Sequence, residues 1–306
     1  MNKQKNVLIA GGSGTIGKAL SKKLVQHGYQ VAVLSRVKKN SSGLKTYFWD
    51  LEKQFLEDEA VLECDYLLNL AGANIGEKRW SDQRKKLLLD SRIKTTNFLF
   101  NKFQQLGKKP EAFISASAVG YYGAVTSEKI FDEKDPPAND FLGSVCSRWE
   151  SECDAFENSG VRTVKIRTGV VLNNGEGALQ KMMLPIKMFV GSPLGSGKQY
   201  LPWIHIDDLS NIYIKALEDE RITGAYNAVA PEYITNKDFM KTLAEIMNKP
   251  FFLPNVPSFL LKLIFNEMSC IILAGSRISS EKILNSGYTF LFPNLKDALT
   301  SLLKKE

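Results

Sequence analysis

Three groups of residues have types and spacings suited to chemistry. The first is Gly11-Gly12-Ser13-Gly14-Thr15-Ile16-Gly17, which reads as G-x-G-x-x-G from Gly12 and as G-x-x-G-x-x-G from Gly11. Glycine serves such a turn in three ways: a tight backbone reversal, close approach of the chain to a pyrophosphate, and close packing of helix on strand. Apolar Asn6-Val7-Leu8-Ile9-Ala10 leads in and a helical pattern from Lys18 to His27 leads out. The free N–H groups and positive dipole end of that helix then face the phosphates. The turn reads as a dinucleotide site, with Gly11, Ser13, Gly14, Thr15 and Ile16 against the cofactor.

The second group, Ser35-Arg36-Val37-Lys38-Lys39, ends the next strand. A cofactor lacking a 2′-phosphate usually meets Asp or Glu there, because a carboxylate accepts from both ribose hydroxyls. A guanidinium that forks onto a phosphate, a serine hydroxyl and two lysines favour NADP(H) over NAD(H) instead. The third group is Ser115-Ala116-Ser117-Ala118-Val119-Gly120-Tyr121-Tyr122-Gly123. At this edge of a parallel sheet, Ser117, Tyr121 and Tyr122 lie opposite the nicotinamide and are placed to orient a carbonyl or alcohol. Serines in strands and tyrosines in loops are also ordinary packing residues, so both roles stay open. Leu70-Ala71-Gly72 is a small-residue strand exit suited to the adenosine half. Arg92 either meets a cofactor phosphate or is a solvated helix arginine; Asp50 either meets the adenine or caps the segment after it.

These groups need a scaffold in which strand ends converge. Strand signals at 6–11, 30–35, 65–70, 112–118 and 162–168 alternate with helix signals at 15–27, 81–105 and 140–158, as a parallel sheet with crossover helices requires. The long helix rests on Leu87, Leu88, Ile93, Phe98, Leu99 and Phe103 at helical spacing. Past 170, glycines interleave with a helical stretch from Ala178 to Val190 that reads as a lid. Further helices are expected at 207–219, 235–247, 256–265 and 279–285. The fold class is therefore α/β, a Rossmann-type doubly wound parallel sheet with a small, mostly helical C-terminal substrate domain. Residues 1–172 form the cofactor domain, about 200–230 return to it, and 173–306 supply the lid and substrate region.

The chain has 306 residues and a net charge of +7 from dispersed lysines. Without a long basic run it does not read as a nucleic-acid binder, and an anionic small-molecule ligand accounts for the charge. Cys64, Cys146, Cys153 and Cys270 match no zinc spacing and read as reduced thiols of a cytoplasmic protein. With two histidines, His27 and His205, no metal site is expected. The apolar stretches Phe259–Phe265 and Cys270–Ala274 are too short to span a bilayer, and no membrane partner is expected.

Taken with Trp203-Ile204-His205-Ile206-Asp207-Asp208-Leu209, the motifs above make the chain resemble the extended or atypical short-chain dehydrogenase/reductases of the NAD-dependent epimerase/dehydratase family. Arg167-Thr168-Gly169-Val170-Val171-Leu172, Pro193-Leu194-Gly195-Ser196-Gly197 and Asn227-Ala228-Val229-Ala230-Pro231 are similar to its YfcH-like sugar-nucleotide epimerase branch, sometimes labelled cell-division inhibitors. The resemblance covers nearly the whole chain. It implies an NADP(H)-binding Rossmann domain, with Ser35 and Arg36 on the ribose phosphate, Leu70 and Ala71 on the adenosine side, Arg92 on a phosphate and Val171 near the nicotinamide. It also implies that an aspartate, Asp208, caps the helix after the Trp203 strand.

One departure cuts against the match. Active members of the superfamily carry Tyr-x-x-x-Lys on the helix after strand four, where the lysine lowers the tyrosine pKa. Here Cys146 stands in the tyrosine place and Glu150 in the lysine place. Tyr233-Ile234-Thr235-Asn236-Lys237 has the spacing but lies at a late helix start. The residues leave two functions open: an NADP(H)-dependent oxidoreductase or epimerase acting on a small substrate, an anionic one in keeping with the net charge, or a non-catalytic NADP(H) sensor.

Overall fold

A computed structural model describes residues 4–37 and 43–303. Lys38, Lys39, Lys304 and Lys305 lie outside the described residues. The strands are β1 (Asn6–Ala10), β2 (Gln30–Ser35), β3 (Lys45–Asp50), β4 (Phe55–Leu56), β5 (Tyr66–Asn69), β6 (Ala112–Ala118), β7 (Ile130–Phe131), β8 (Arg162–Thr168), β9 (Val170–Leu172), β10 (Trp203–His205), β11 (Gly224–Ala228) and β12 (Arg277–Ile278). The helices are α1 (Thr15–Gln26), α2 (Asp58–Leu62), α3 (Asp82–Gln105), α4 (Phe141–Asn158), α5 (Ala178–Lys187), α6 (Ile206–Glu218), α7 (Asn236–Ile246), α8 (Ser258–Phe265), α9 (Cys270–Leu273), α10 (Glu281–Asn285) and α11 (Leu295–Leu303).

Eight strands form one sheet in the order β11-β8-β6-β5-β1-β2-β3-β4, parallel except for β4. Side chains alternate across β1, so Val7 and Ile9 enter one core with Leu20, Leu24, Ile212 and Tyr213, while Leu8 enters the other with Phe98, Leu99, Phe103 and Phe156. Helices thus cover both faces, which is the doubly wound architecture. In α3, Ser81 accepts the Arg84 N–H as N-cap, and Leu88, Phe98, Leu99 and Phe103 are buried; Leu87 is exposed.

Strand β3 was not expected from the sequence. Its Tyr47 and Trp49 alternate into the core and extend the sheet beside β2. Asp50, at its end, accepts from the N–H groups of Glu52 and Lys53, which is the capping role of the two left open. The helical stretch after Gly177 is anchored: Leu179, Met183 and Ile186 share a core with Trp203, Phe239, Leu243 and, from α11, Leu295 and Leu299. Among the described residues no helix is long and apolar enough to cross a membrane.

Candidate functional site

The glycine turn is built by packing as much as by flexibility. Gly11 adopts φ +85°, and a Cβ there would lie 2.7 Å from the Leu70 carbonyl carbon. A Cβ at Gly12 would lie 2.5 Å from a Val33 methyl. The turn is therefore pressed between the exit of β5 and strand β2. Gly14 is the N-cap of α1 but supplies no side chain, and the first turn holds no acidic residue. Ser13, Thr15 and Ile16 sit at the start of this twelve-residue helix, whose first N–H groups receive no side-chain cap among the described residues. A dinucleotide phosphate fits that cradle.

Parallel register sets Ala10 opposite Leu34, so Gly12 and Arg36 emerge at the same end of neighbouring strands. Arg36 is exposed and pairs with no carboxylate among the described residues. Ser35 Oγ donates to Val37 O at 2.9 Å and accepts its N–H at 3.1 Å, which bends the chain after β2. On the other side of the turn, Leu70 N donates to Ala10 O at 2.8 Å and Ala71 N to Asn69 Oδ1 at 3.2 Å. Arg92 reaches Ala73 O from α3 at 3.2 Å and lies against Gly72. Burial pulls its pKa below the arginine range, and no carboxylate pairs with it among the described residues. An anion at that point would offset the desolvation.

At the end of β6 the sequence-predicted hydroxyls join a buried network. Ser117 donates to Glu150 Oε1 at 2.6 Å. Arg167 grips the same carboxylate with Nε on Oε1 and Nη2 on Oε2, both at 2.9 Å. Its Nη1 donates to the Tyr122 hydroxyl at 2.9 Å, and that hydroxyl donates to Asn227 Oδ1 at 2.8 Å. Asn227 in turn donates from Nδ2 to Ser279 O at 3.1 Å and from its backbone to Glu133 Oε1 at 2.8 Å. Burial opposes the charge of Arg167, but the hydrogen bonds and field of Glu150 outweigh it and raise the pKa. Burial likewise raises the Tyr122 phenol, despite Arg167.

Tyr121 is the exception in this cluster. The Arg167 guanidinium lies 3.5 Å from the centroid of its ring, while its hydroxyl makes no hydrogen bond among the described residues. The three predicted residues are therefore brought together: the hydroxyls of Ser117 and Tyr122 are hydrogen-bonded within the network, and that of Tyr121 is free among the described residues. Val171 sits in β9, beside Ile204 of β10, just beyond the end of β8.

Residues 7–228 match the NAD dependent epimerase/dehydratase family, and residues 256–302 match a domain of unknown function, DUF1731. The chain belongs to the NAD dependent epimerase/dehydratase family. It is 35% identical over 301 residues to mouse epimerase family protein SDR39U1, covering 97% of this chain and 99% of that one. It is 36% identical over 300 residues to epimerase family protein YfhF of Bacillus subtilis, covering 97% and 98%. The crystal structure of human SDR39U1 (isoform 2) with NADPH superposes with a TM-score of 0.85 at 34% identity, covering 97% of this chain and 98% of that one.

Within this family member, the two atypical residues on α4 have separate fates. Cys146 is buried, and burial pushes its thiol up to about 12, so it stays neutral. Glu150 does not stand as an isolated charge in the lysine place, because Arg167 neutralises it. Arg167 was missed from the sequence; β8 reads Arg162-Thr163-Val164-Lys165-Ile166-Arg167-Thr168, and with three basic residues in one strand its pattern does not mark Arg167 as the buried one. Asp208 corrects a second expectation. The N-cap of α6 is His205, whose Nδ1 accepts the Asp207 N–H at 3.0 Å. Asp208 instead accepts the Tyr288 hydroxyl at 2.7 Å, Leu291 N at 2.8 Å and Phe292 N at 3.0 Å. Tyr233 lies before α7 and Lys237 within it, so the pair does not stand on α4, the helix after β6. Among the described residues no group of His, Cys, Asp and Glu is placed to hold a metal ion.

Proposed function

We propose that this protein binds NADP(H) across the carboxyl ends of β1, β2, β5 and β6 and performs oxidoreductase or epimerase chemistry on a small substrate. The observation that carries the reading is the uncapped, glycine-lined start of α1 with Arg36, unpaired among the described residues, emerging beside it. Gly11, Ser13, Gly14, Thr15 and Ile16 would hold the pyrophosphate side, Ser35 and Arg36 the 2′-phosphate, Leu70, Ala71 and Gly72 the adenosine side, and Arg92 a phosphate. Val171 would line the nicotinamide end. The solved NADPH complex of the human relative supports the cofactor assignment.

When bound, the cofactor supplies hydride exchange at its nicotinamide. The chain's own part is to orient a carbonyl or alcohol and manage its proton. Tyr121 is the group for that task, since its hydroxyl is unspent and Arg167 fixes its ring from one face. Ser117 and Tyr122 act by holding the Glu150–Arg167 pair beneath it. In this reading residues 1–172, with 200–230 returning, bind cofactor, and 173–306 close over the substrate. The net charge of +7 favours an anionic one.

The cofactor assignment is tested with Arg36→Ala. A charge-assisted hydrogen bond contributes about 1.5–3 kcal/mol, so NADPH affinity should fall roughly ten- to a hundredfold while NADH affinity barely moves. Equal losses for the two would sink the assignment. The reaction is tested by following NADPH oxidation over a panel of carbonyl compounds and nucleotide sugars. Tight binding with no oxidation of any of them would turn the reading toward a sensor.

A further inference from the structure

Exposed positions on a helix packed against a globular protein are normally polar. Helix α8 breaks that pattern. Only Leu261 of its eight residues is buried, whereas Phe259 is 68% exposed and Leu263 75%, with Leu260 and Ile264 exposed beside them. A second exposed apolar group lies on the segments leading to it. Met188, Phe189 and Val190 follow α5, Lys249 Nζ lies 4.2 Å from the Phe189 ring, and Phe252 is 75% exposed. The two segments are laced together where Leu194 bridges Val256 in parallel register, two residues before α8 begins.

The charge on these segments has one sign. Residues 177–206 and 246–266 contain Lys181, Lys187, Lys198, Lys249 and Lys262 and no Asp or Glu, in a chain with 33 acidic residues. None of the five lysines is in an ion pair among the described residues. Apolar side chains beside lysines outside any ion pair, with the bordering Glu245 and Glu267 paired to Lys241 and Lys85, match a bilayer interface, where rings and alkyl chains enter the acyl boundary and lysines meet anionic headgroups. A second copy of the chain is a poorer occupant. A twofold contact sets the same patch against itself and would bring lysines against lysines.

We propose that this face docks the protein on an anionic lipid bilayer, with α8 lying in the interfacial plane. The stretch too short to span a membrane is long enough to lie on one. The far end of α8, Phe265, packs in the same cluster as Ile75 and Trp80 on the loop leaving β5, so the docked face adjoins the cofactor edge.

Flotation of the full chain tests this, on vesicles of phosphatidylcholine alone and of phosphatidylcholine with phosphatidylglycerol. The wild type should float with the anionic vesicles, stay down with the neutral ones, and be released by high salt. Phe259→Glu with Leu263→Glu should abolish flotation, leaving thermal stability and NADPH binding unchanged. Lys249→Glu with Lys262→Glu should weaken it severalfold. The proposal is overturned if the wild type ignores anionic vesicles, or floats equally with neutral ones, or if the Phe259/Leu263 variant floats as well as the wild type. A concentration-dependent dimer dissolved by that variant would assign the patch to a second copy and overturn it too.

Discussion

A buried carboxylate and a buried guanidinium settle little about stability on their own, because desolvating both charges consumes most of what their attraction returns. The Glu150–Arg167 pair matters through what it holds: Ser117 on one side, the Tyr122 hydroxyl on another, and the Tyr121 ring on its face. Breaking the pair strands a charge in the core. Glu150→Gln and Arg167→Met should each cost about 3–5 kcal/mol, and the double variant should cost clearly less than their sum, as read from urea denaturation. Strict additivity would show that the two are uncoupled. Tyr121→Phe is the complementary experiment. It removes one unbonded hydroxyl, so NADPH binding and stability should hold, while turnover of any substrate found should drop by about 10²–10⁴. Turnover at wild-type level would move the acid/base role elsewhere. At this scale the sequence showed Glu150 as an anomaly but not its partner, since pairing across α4 and β8 depends on sheet order and not on spacing.

Element boundaries that rest on periodicity and caps were legible. The first strands, α1, α3 and α4 fall within one or two residues of expectation, because each carries a clear pattern bounded by glycine, serine or aspartate. Strand β3 escaped because three consecutive aromatics, Tyr47-Phe48-Trp49, hide its alternation, and α11 was passed over although Leu295, Ala298, Leu299 and Leu302 recur at helical spacing. Helix α6 teaches a different lesson: the family resemblance implied an aspartate cap, Asp208, yet His205 took the place. That choice has a pH signature. His205 must keep Nδ1 unprotonated to accept the Asp207 N–H, with Nε2 toward Ser301 Oγ at 3.2 Å and its ring 3.9 Å from that of Phe292. Burial holds its folded pKa below the ordinary value, against the upward pull of Asp207 and Asp208, with Lys23 adding to the lowering. The unfolded chain therefore binds the proton first as pH falls. The contribution is complete above about pH 6.5 and is lost as pH drops through the unfolded and then the folded value. His205→Asn keeps an acceptor at the cap without the titration. Its urea midpoint should vary less than that of the wild type between about pH 7 and pH 5; parallel curves would remove His205 from the acid response.

At the scale of the molecule, the family matches divide the chain at about 228 to 256, whereas the packing does not. The carboxylate of Asp208, wholly buried in the first match, has its hydrogen-bond donors Tyr288, Leu291 and Phe292 in the second. Leu295, Ala298, Leu299 and Leu302 of α11 complete a core that includes Leu172 and Trp203. Opening the C-terminal segment would take three hydrogen-bond donors from the Asp208 carboxylate and expose the apolar core that α11 shares with Leu172 and Trp203. Partial unfolding is thus penalised from both sides, and the whole chain should unfold as one unit. Urea curves followed by tryptophan fluorescence and by far-ultraviolet circular dichroism should coincide. NADPH, although its site lies at the ends of the first strands, should move both curves together, by about 2.7 kcal/mol at a hundred times its Kd. Two separated transitions, with only the later one moved by NADPH, would mean that the C-terminal segment docks on an independently stable cofactor domain, and that the Asp208 cluster is a latch and not part of a shared core.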